Sequence, residues 1–138
     1  MAAEMDEQPE VLERLIGSRD EIVDEVRRAV PDPIRGIVLV ARGSSDNASV
    51  FGRYVLEGAT LRPVSMLFPS LVTLYGVAAD YRGWVAIGVS QSGETPEIVD
   101  AVEHLRRSGA VTVAVTNHPE SPLGGLCHVA VGLGAGDE

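Results

Sequence analysis

The sequence contains no lysine, a single cysteine (Cys127), one tryptophan, two phenylalanines and three tyrosines among its 138 residues. Each shortage excludes something. With one cysteine no disulfide can form within the chain, which fits a reducing compartment, and a lone thiol in an apolar run reads as a small core hydrophobe. The 11 basic residues are all arginine and scattered, and against 20 acidic side chains they leave a formal net charge of -9. Such a chain offers no basic stripe to nucleic acid, and helix–turn–helix and zinc-finger patterns are absent. The missing lysine removes Walker A chemistry. Gly132-Leu133-Gly134-Ala135-Gly136 does not open a helix, as a dinucleotide fingerprint must. His104, His118 and His128 have no metal-ligand spacing, so neither metal nor cofactor is expected. No apolar run approaches the ~20 residues that span a bilayer, and the N-terminus opens on acids rather than a basic targeting region. A cytoplasmic protein without membrane or nucleic-acid partners is the expectation.

What is present is a 45% hydrophobic chain with room for one core. Residues 1–33 read as a helical segment, whose first 30 residues alone carry nine acidic against four basic side chains. Leu12, Leu15 and Ile16 mark the apolar face of a helix over 4–16. Ile22, Val26, Ala29 and Val30 mark that of a second over 18–30, which Ser18 and Glu21 would start as a capping box and Pro31 would end. From residue 34 onward, five short continuous apolar runs lie at 37–41, 63–67, 84–89, 111–115 and 127–131, the pattern of strands buried on both faces. Helical patterns intervene. One runs to about Gly58 with Phe51, Tyr54 and Val55 as core-facing candidates; one covers 71–79; one covers 97–107 with Ile98, Ala101, Val102 and Leu105 inward. A short turn follows at 122–126. This alternation predicts an α/β fold, a doubly wound five-stranded parallel sheet of order 2-1-3-4-5.

Two loops carry the chemistry. Ser90-Gln91-Ser92-Gly93-Glu94-Thr95-Pro96 joins the third strand to a helix and collects three hydroxyls at that helix's N-terminus, where free N–H groups and the dipole favour an anion. Gly93 suits a positive φ, Thr95 can cap the helix and Pro96 fits its first position. Arg42-Gly43-Ser44-Ser45-Asp46-Asn47 follows the first strand in the same way. In a 2-1-3-4-5 sheet those two strands are neighbours whose following helices diverge, so the loops flank one crevice. Arg42 is the candidate cation. Glu94 and Glu97 would oppose an anion unless they point away or meet hydroxyls of the ligand.

The string Ser90-Gln91-Ser92-Gly93-Glu94-Thr95 after an apolar strand resembles the first sugar isomerase (SIS) domain of glucosamine-6-phosphate synthase and of second-type glucosamine-6-phosphate deaminases. Glu4-Met5 with Glu7-Gln8-Pro9, Ala41 to Asn47, Pro69 to Tyr75, and Thr116-Asn117 with Ser121-Pro122-Leu123 are similar to that family in the same order. The resemblance implies a sugar-phosphate ligand held by Ser44, Ser45, Ser90, Gln91, Ser92 and Thr95, with Gly43, Arg42 and Gly93 as further candidates. It also implies that the catalytic base and lysine belong to a second SIS unit and a tail, so no catalytic residue is assigned here. A single unit over 34–138 lacking the family's closing C-terminal helix is then expected, with Val129, Val131 and Leu133 uncovered. It would pair as a homodimer or with another SIS-containing chain. Half of an aminosugar-phosphate isomerase or deaminase is one reading, and a stand-alone, non-catalytic sugar-phosphate-binding module is the alternative.

Overall fold

The computed structural model describes residues 2–77 and 79–136. Two helices, α1 (Ala2–Gly17) and α2 (Arg19–Ala29), precede an alternating series: β1 (Gly36–Val40), α3 (Ser44–Thr60), β2 (Val64–Met66), α4 (Pro69–Thr73), β3 (Trp84–Val89), α5 (Pro96–Arg107), β4 (Val111–Thr116), α6 (Pro122–Leu126) and β5 (Val129–Gly132). The five strands form one parallel sheet of order β2-β1-β3-β4-β5. Strand order and class are those read from the sequence.

The continuous apolar runs are explained by burial on both sides. Side chains alternate across a strand, so Ile37 and Leu39 join Val64, Val85, Val113 and Val129 in one core layer, while Val38 and Val40 join Ala86 and Ala114 in the other. The second layer is closed by Ile98, Ala101, Val102 and Leu105 of α5 and Leu123 of α6. Those four α5 positions are the inward face that the sequence predicts. Burying a side chain such as Ile98 or Leu105 is worth roughly 1.5–3 kcal/mol, which fixes the angle at which α5 leaves the loop before it.

Four details differ from the sequence reading. The face at β5 expected to lie uncovered is packed: Val129 is 3% exposed, and α2 with the residue that ends it lays Val26, Ala29 and Val30 on that layer, with Val131 and Leu133 half-buried. Phe51, Tyr54 and Val55 of α3 point outward, the first two 72% and 78% exposed, because the inner face of α3 is the small-residue series Ser45, Ser49, Gly52 with Leu56. Small side chains let the helix sit close on the sheet. The helix expected over 71–79 starts earlier, with Pro69 at its first position, and ends at Thr73; Ala78 of that stretch lies outside the described residues. Ser18 makes no capping box. Its hydroxyl donates to the Arg14 carbonyl, so α1 passes into α2 almost without a break.

Candidate functional site

β1 and β3 lie side by side, with Val40 opposite Gly88, and the chain leaves both at the same edge of the sheet. The loops that follow enclose a cleft of about 220 Å³. Ser44, Ser45, Ser90, Gln91, Ser92 and Thr95 all line it, together with Arg42 and Gly43. Val89 and Ile98, where β3 ends and α5 begins its buried face, are its apolar lining. Of the nine residues proposed from the sequence to hold the ligand, only Gly93 is not among the lining residues.

Gly93 has a different task. Its φ is +66°, and a Cβ there would fall 2.0 Å from Ser121 Oγ, so the position admits neither the conformation nor the bulk of another residue. From this contact the loop is held from behind. The Gly93 carbonyl accepts from the N–H of Leu123, the Gln91 carbonyl accepts from the N–H of Asn117, and the fully buried Thr116 hydroxyl also donates to the Gln91 carbonyl at 2.9 Å. Inside the loop, Ser90 Oγ accepts from the Gly93 N–H and lies 3.4 Å from the Thr95 hydroxyl, while Ser92 Oγ accepts from the Glu94 N–H. Thr95 occupies the N-cap of α5 without a side-chain cap bond, which leaves its hydroxyl beside Ser90. Thr116-Asn117 and Ser121-Pro122-Leu123 carried the family resemblance in the sequence, but their role as a buttress shows only in three dimensions.

The loop after β1 is simpler. Gly43 caps α3 with φ +64°, and open space surrounds the position a Cβ would take. Among the described residues, no acceptor in the protein meets the backbone N–H groups of Ser44, Ser45, Gln91, Ser92 or Thr95. The N-terminal ends of α3 and α5 therefore meet at one cleft with unspent donors, and the neighbouring hydroxyls add to them. Such a set suits a multiply charged oxyanion, with N–H groups and two helix dipoles aimed at negative charge. Arg42 is the sole cation among the lining residues, and its Nε lies 3.1 Å from Glu97 Oε2 in the first turn of α5. The carboxylate that threatened to repel an anion is thus paired. Glu97 was weighed in the sequence, but a partner 55 positions away could not be read there.

The remaining titratable groups singled out lie elsewhere. His128 sits across from Thr112 at the start of β4, accepting through Nδ1 from the Thr112 N–H at 3.0 Å; burial and the nearby Arg106 hold its pKa below the ordinary value. Cys127 is half-buried and its thiol is pushed up to about 11 by burial, which removes it as a nucleophile. His104 is on α5, and His118 lies 3.9 Å from Glu120 in the segment behind the loop. Among the described residues no cluster of three or more His, Cys, Asp or Glu side chains is placed to hold a metal ion, and no helix is long and apolar enough to cross a membrane.

A doubly wound sheet whose first and third strands present hydroxyl-rich helix N-termini to a shared crevice defines a class of α/β domains that hold anionic ligands at the switch of strand order. A model of the SIS domain matches residues 33–138, and the chain belongs to that family. It is 35% identical over 125 residues to glutamine–fructose-6-phosphate aminotransferase [isomerizing] 1 of Arabidopsis thaliana, an alignment covering 90% of this chain and 17% of that protein. It is 46% identical over 63 residues to the N-acetylmuramic acid 6-phosphate etherase of Symbiobacterium thermophilum, covering 45% of this chain and 21% of the relative. Among solved structures, a candidate phosphosugar isomerase from Silicibacter pomeroyi superposes with a TM-score of 0.88 at 34% identity, over 99% of this chain and 42% of that one. The chain spans about a fifth of the length of the curated relatives it matches.

Proposed function

We propose that this chain is the sugar-phosphate-holding unit of an aminosugar-phosphate isomerase or deaminase, with a hexosamine or fructose 6-phosphate bound through its phosphate in the cleft between β1 and β3. The observation that carries this reading is the convergence of Ser44, Ser45, Ser90, Gln91, Ser92 and Thr95 with two helix N-termini on one small space. Size supports the phosphate end of the ligand as the part that is held. A cleft of about 220 Å³ falls short of the ~300–1,000 Å³ of sites that enclose a drug-sized molecule. Sugars bearing a 6-phosphate are named among the relatives' ligands or products, in proteins of differing chemistry. A shared phosphate cradle under variable chemistry is the economical account.

The hydroxyls make a direct test possible. Ser45→Ala and Ser92→Ala are each expected to weaken glucosamine 6-phosphate binding by about 1–3 kcal/mol, the value of a hydrogen bond to a charged group, with little change in folding. Ser45 is the cleaner probe, since the Ser92 hydroxyl also accepts the Glu94 N–H. Calorimetric titration giving wild-type affinity for both variants would place the ligand elsewhere. Turnover of either sugar phosphate by the chain alone is not expected: aldose–ketose isomerisation needs a base against the sugar, and of the nearby carboxylates Glu97 is bound to Arg42.

The partner follows from the outward face of α3. Val50, Phe51, Tyr54 and Val55 are exposed there, and Phe68, Leu71 and Leu74 are exposed on and beside α4. The occupant we assign is a second copy of this chain, since this unit makes up only 42% of a longer solved chain to which it is 34% identical. Packing between small residues of α3 and the sheet turns its large apolar side chains outward, onto a surface such a unit would cover. Light scattering is expected to show a dimer of the 14.6 kDa chain, and Tyr54→Glu to dissociate it. A monodisperse wild-type monomer would remove this assignment.

A further inference from the structure

The ion pair between Arg42 and Glu97 is oddly placed for a stabilising contact. Its partners are 57% and 55% exposed, and pairs at that exposure contribute roughly 0–1 kcal/mol to folding. Its consequence falls on the cleft instead. Arg42 is the last residue before Gly43 and lines the cleft with it, and every other lining residue is neutral. Glu97 is the second residue of α5, in the turn whose N–H groups face the same space. In an empty cleft a carboxylate there is favoured by the helix dipole; beside a bound anion it is a like charge a few ångströms away.

We propose that Arg42, tempered by its ion pair with Glu97, acts as a charge selector, which makes the cleft favour a dianionic phosphate ester over a monoanionic ester of the same shape. This rests on the sugar-phosphate reading above and adds to it the basis of discrimination. The guanidinium carries five donors in a planar fork, and its nearest approach to Glu97 is an ion-pair contact through Nε, which leaves the two terminal nitrogens for the ligand. Glu97 serves as a positioning residue: it holds the fork at the cleft and draws off part of its charge. Attraction to the guanidinium and repulsion from the carboxylate both scale with the ligand's charge, and Arg42, unlike Glu97, lines the cleft, so the net attraction is about twice as large for a dianion as for a monoanion. Arg42 in turn masks Glu97, so its removal should cost more than one donor, because it leaves the carboxylate facing the ligand unscreened.

Glucosamine 6-phosphate, a dianion above its second pKa of about 6, and glucosamine 6-sulfate, a monoanion throughout, differ in charge at nearly constant shape. Both are titrated calorimetrically at about pH 8 against wild type, Arg42→Ala, Glu97→Gln and the double variant, with thermal melts confirming that each folds. Arg42→Ala is expected to lose about 10- to 100-fold in affinity for the phosphate and clearly less for the sulfate. Glu97→Gln is expected to tighten binding of both esters, the phosphate by more than the sulfate, and so to widen the discrimination. The double variant is expected to bind both esters better than Arg42→Ala does. Equal losses on the two esters in Arg42→Ala, or a double variant no better than Arg42→Ala, would overturn the selector while Ser45→Ala still weakens binding and upholds the cleft. Wild type that binds neither ester would overturn the selector and the sugar-phosphate reading together.

Discussion

The loop after β3 and the loop after β1 present the same kind of donors to the same cleft, yet they are held in opposite ways. Behind Ser90–Thr95 stands a wall: the carbonyls of Gln91 and Gly93 are tied to Thr116, Asn117 and Leu123, and Gly93 fits against Ser121 with no room for a methyl group. At Gly43 there is open space where a Cβ would fall, and a positive φ shapes the turn. A donor fixed before a ligand arrives loses no ordering entropy on binding, so on the proposed function the buttressed loop would supply preorganised affinity. The open loop carries Arg42, the single charge that can adjust.

Substituting the two glycines is the strongest way to break this contrast. Gly93→Ala combines a left-handed φ with a collision at Ser121 and is expected to cost about 2–4 kcal/mol of stability, the sum of conformational strain and overpacking. Gly43→Ala meets strain alone and is expected to cost about 1–2 kcal/mol. Urea unfolding of both variants measures the difference, and equal midpoints would mean that the wall behind Gly93 yields freely.

Thr116→Val sharpens the comparison by loosening the wall without adding bulk. It removes the bond to the Gln91 carbonyl, which keeps its Asn117 partner, and leaves the His118 N–H without the Thr116 oxygen. A loss of about 1–2 kcal/mol in stability is expected, with weaker glucosamine 6-phosphate binding although Thr116 does not line the cleft. Unchanged affinity would show that the loop holds its shape unaided.

The smallest effect lies away from both loops. His128 accepts from Thr112 through Nδ1, so it must stay neutral there, and its folded pKa lies below the value near 6.5 that it has when unfolded. The unfolded chain then binds the proton more readily. The contribution of His128 is complete above about pH 6.5 and is lost as the pH falls through that value toward the folded pKa. The wild-type melting temperature should drop from about pH 7.5 to about pH 5.5 by slightly more than that of His128→Gln, and parallel curves would refute the linkage.

How much of this was legible beforehand follows from what patterns encode. Continuous apolar runs report burial on both faces, so five parallel strands could be read, and strand order placed the two serine loops together because ligand crevices form where that order reverses. The stripe on α3 could be seen but not its direction: Phe51, Tyr54 and Val55 announce an apolar face, and nothing in their spacing says whether the sheet or another body covers it. The cover over Val129 was missed for a related reason, since α2 and β5 meet from opposite ends of the chain. Side-chain pairing across such distances, as between Arg42 and Glu97, has no signature in periodicity.

α3 has one further property. Its 17 residues make a rod about 25 Å long whose first turn frames the cleft and whose flank carries the exposed Phe51 and Tyr54. A body pressed against the flank and a ligand seated at the tip therefore act on one lever. Any free energy by which the first steadies the second must be returned in full in the other direction, so the grip on the ligand and the grip on the neighbour would be two readings of a single quantity.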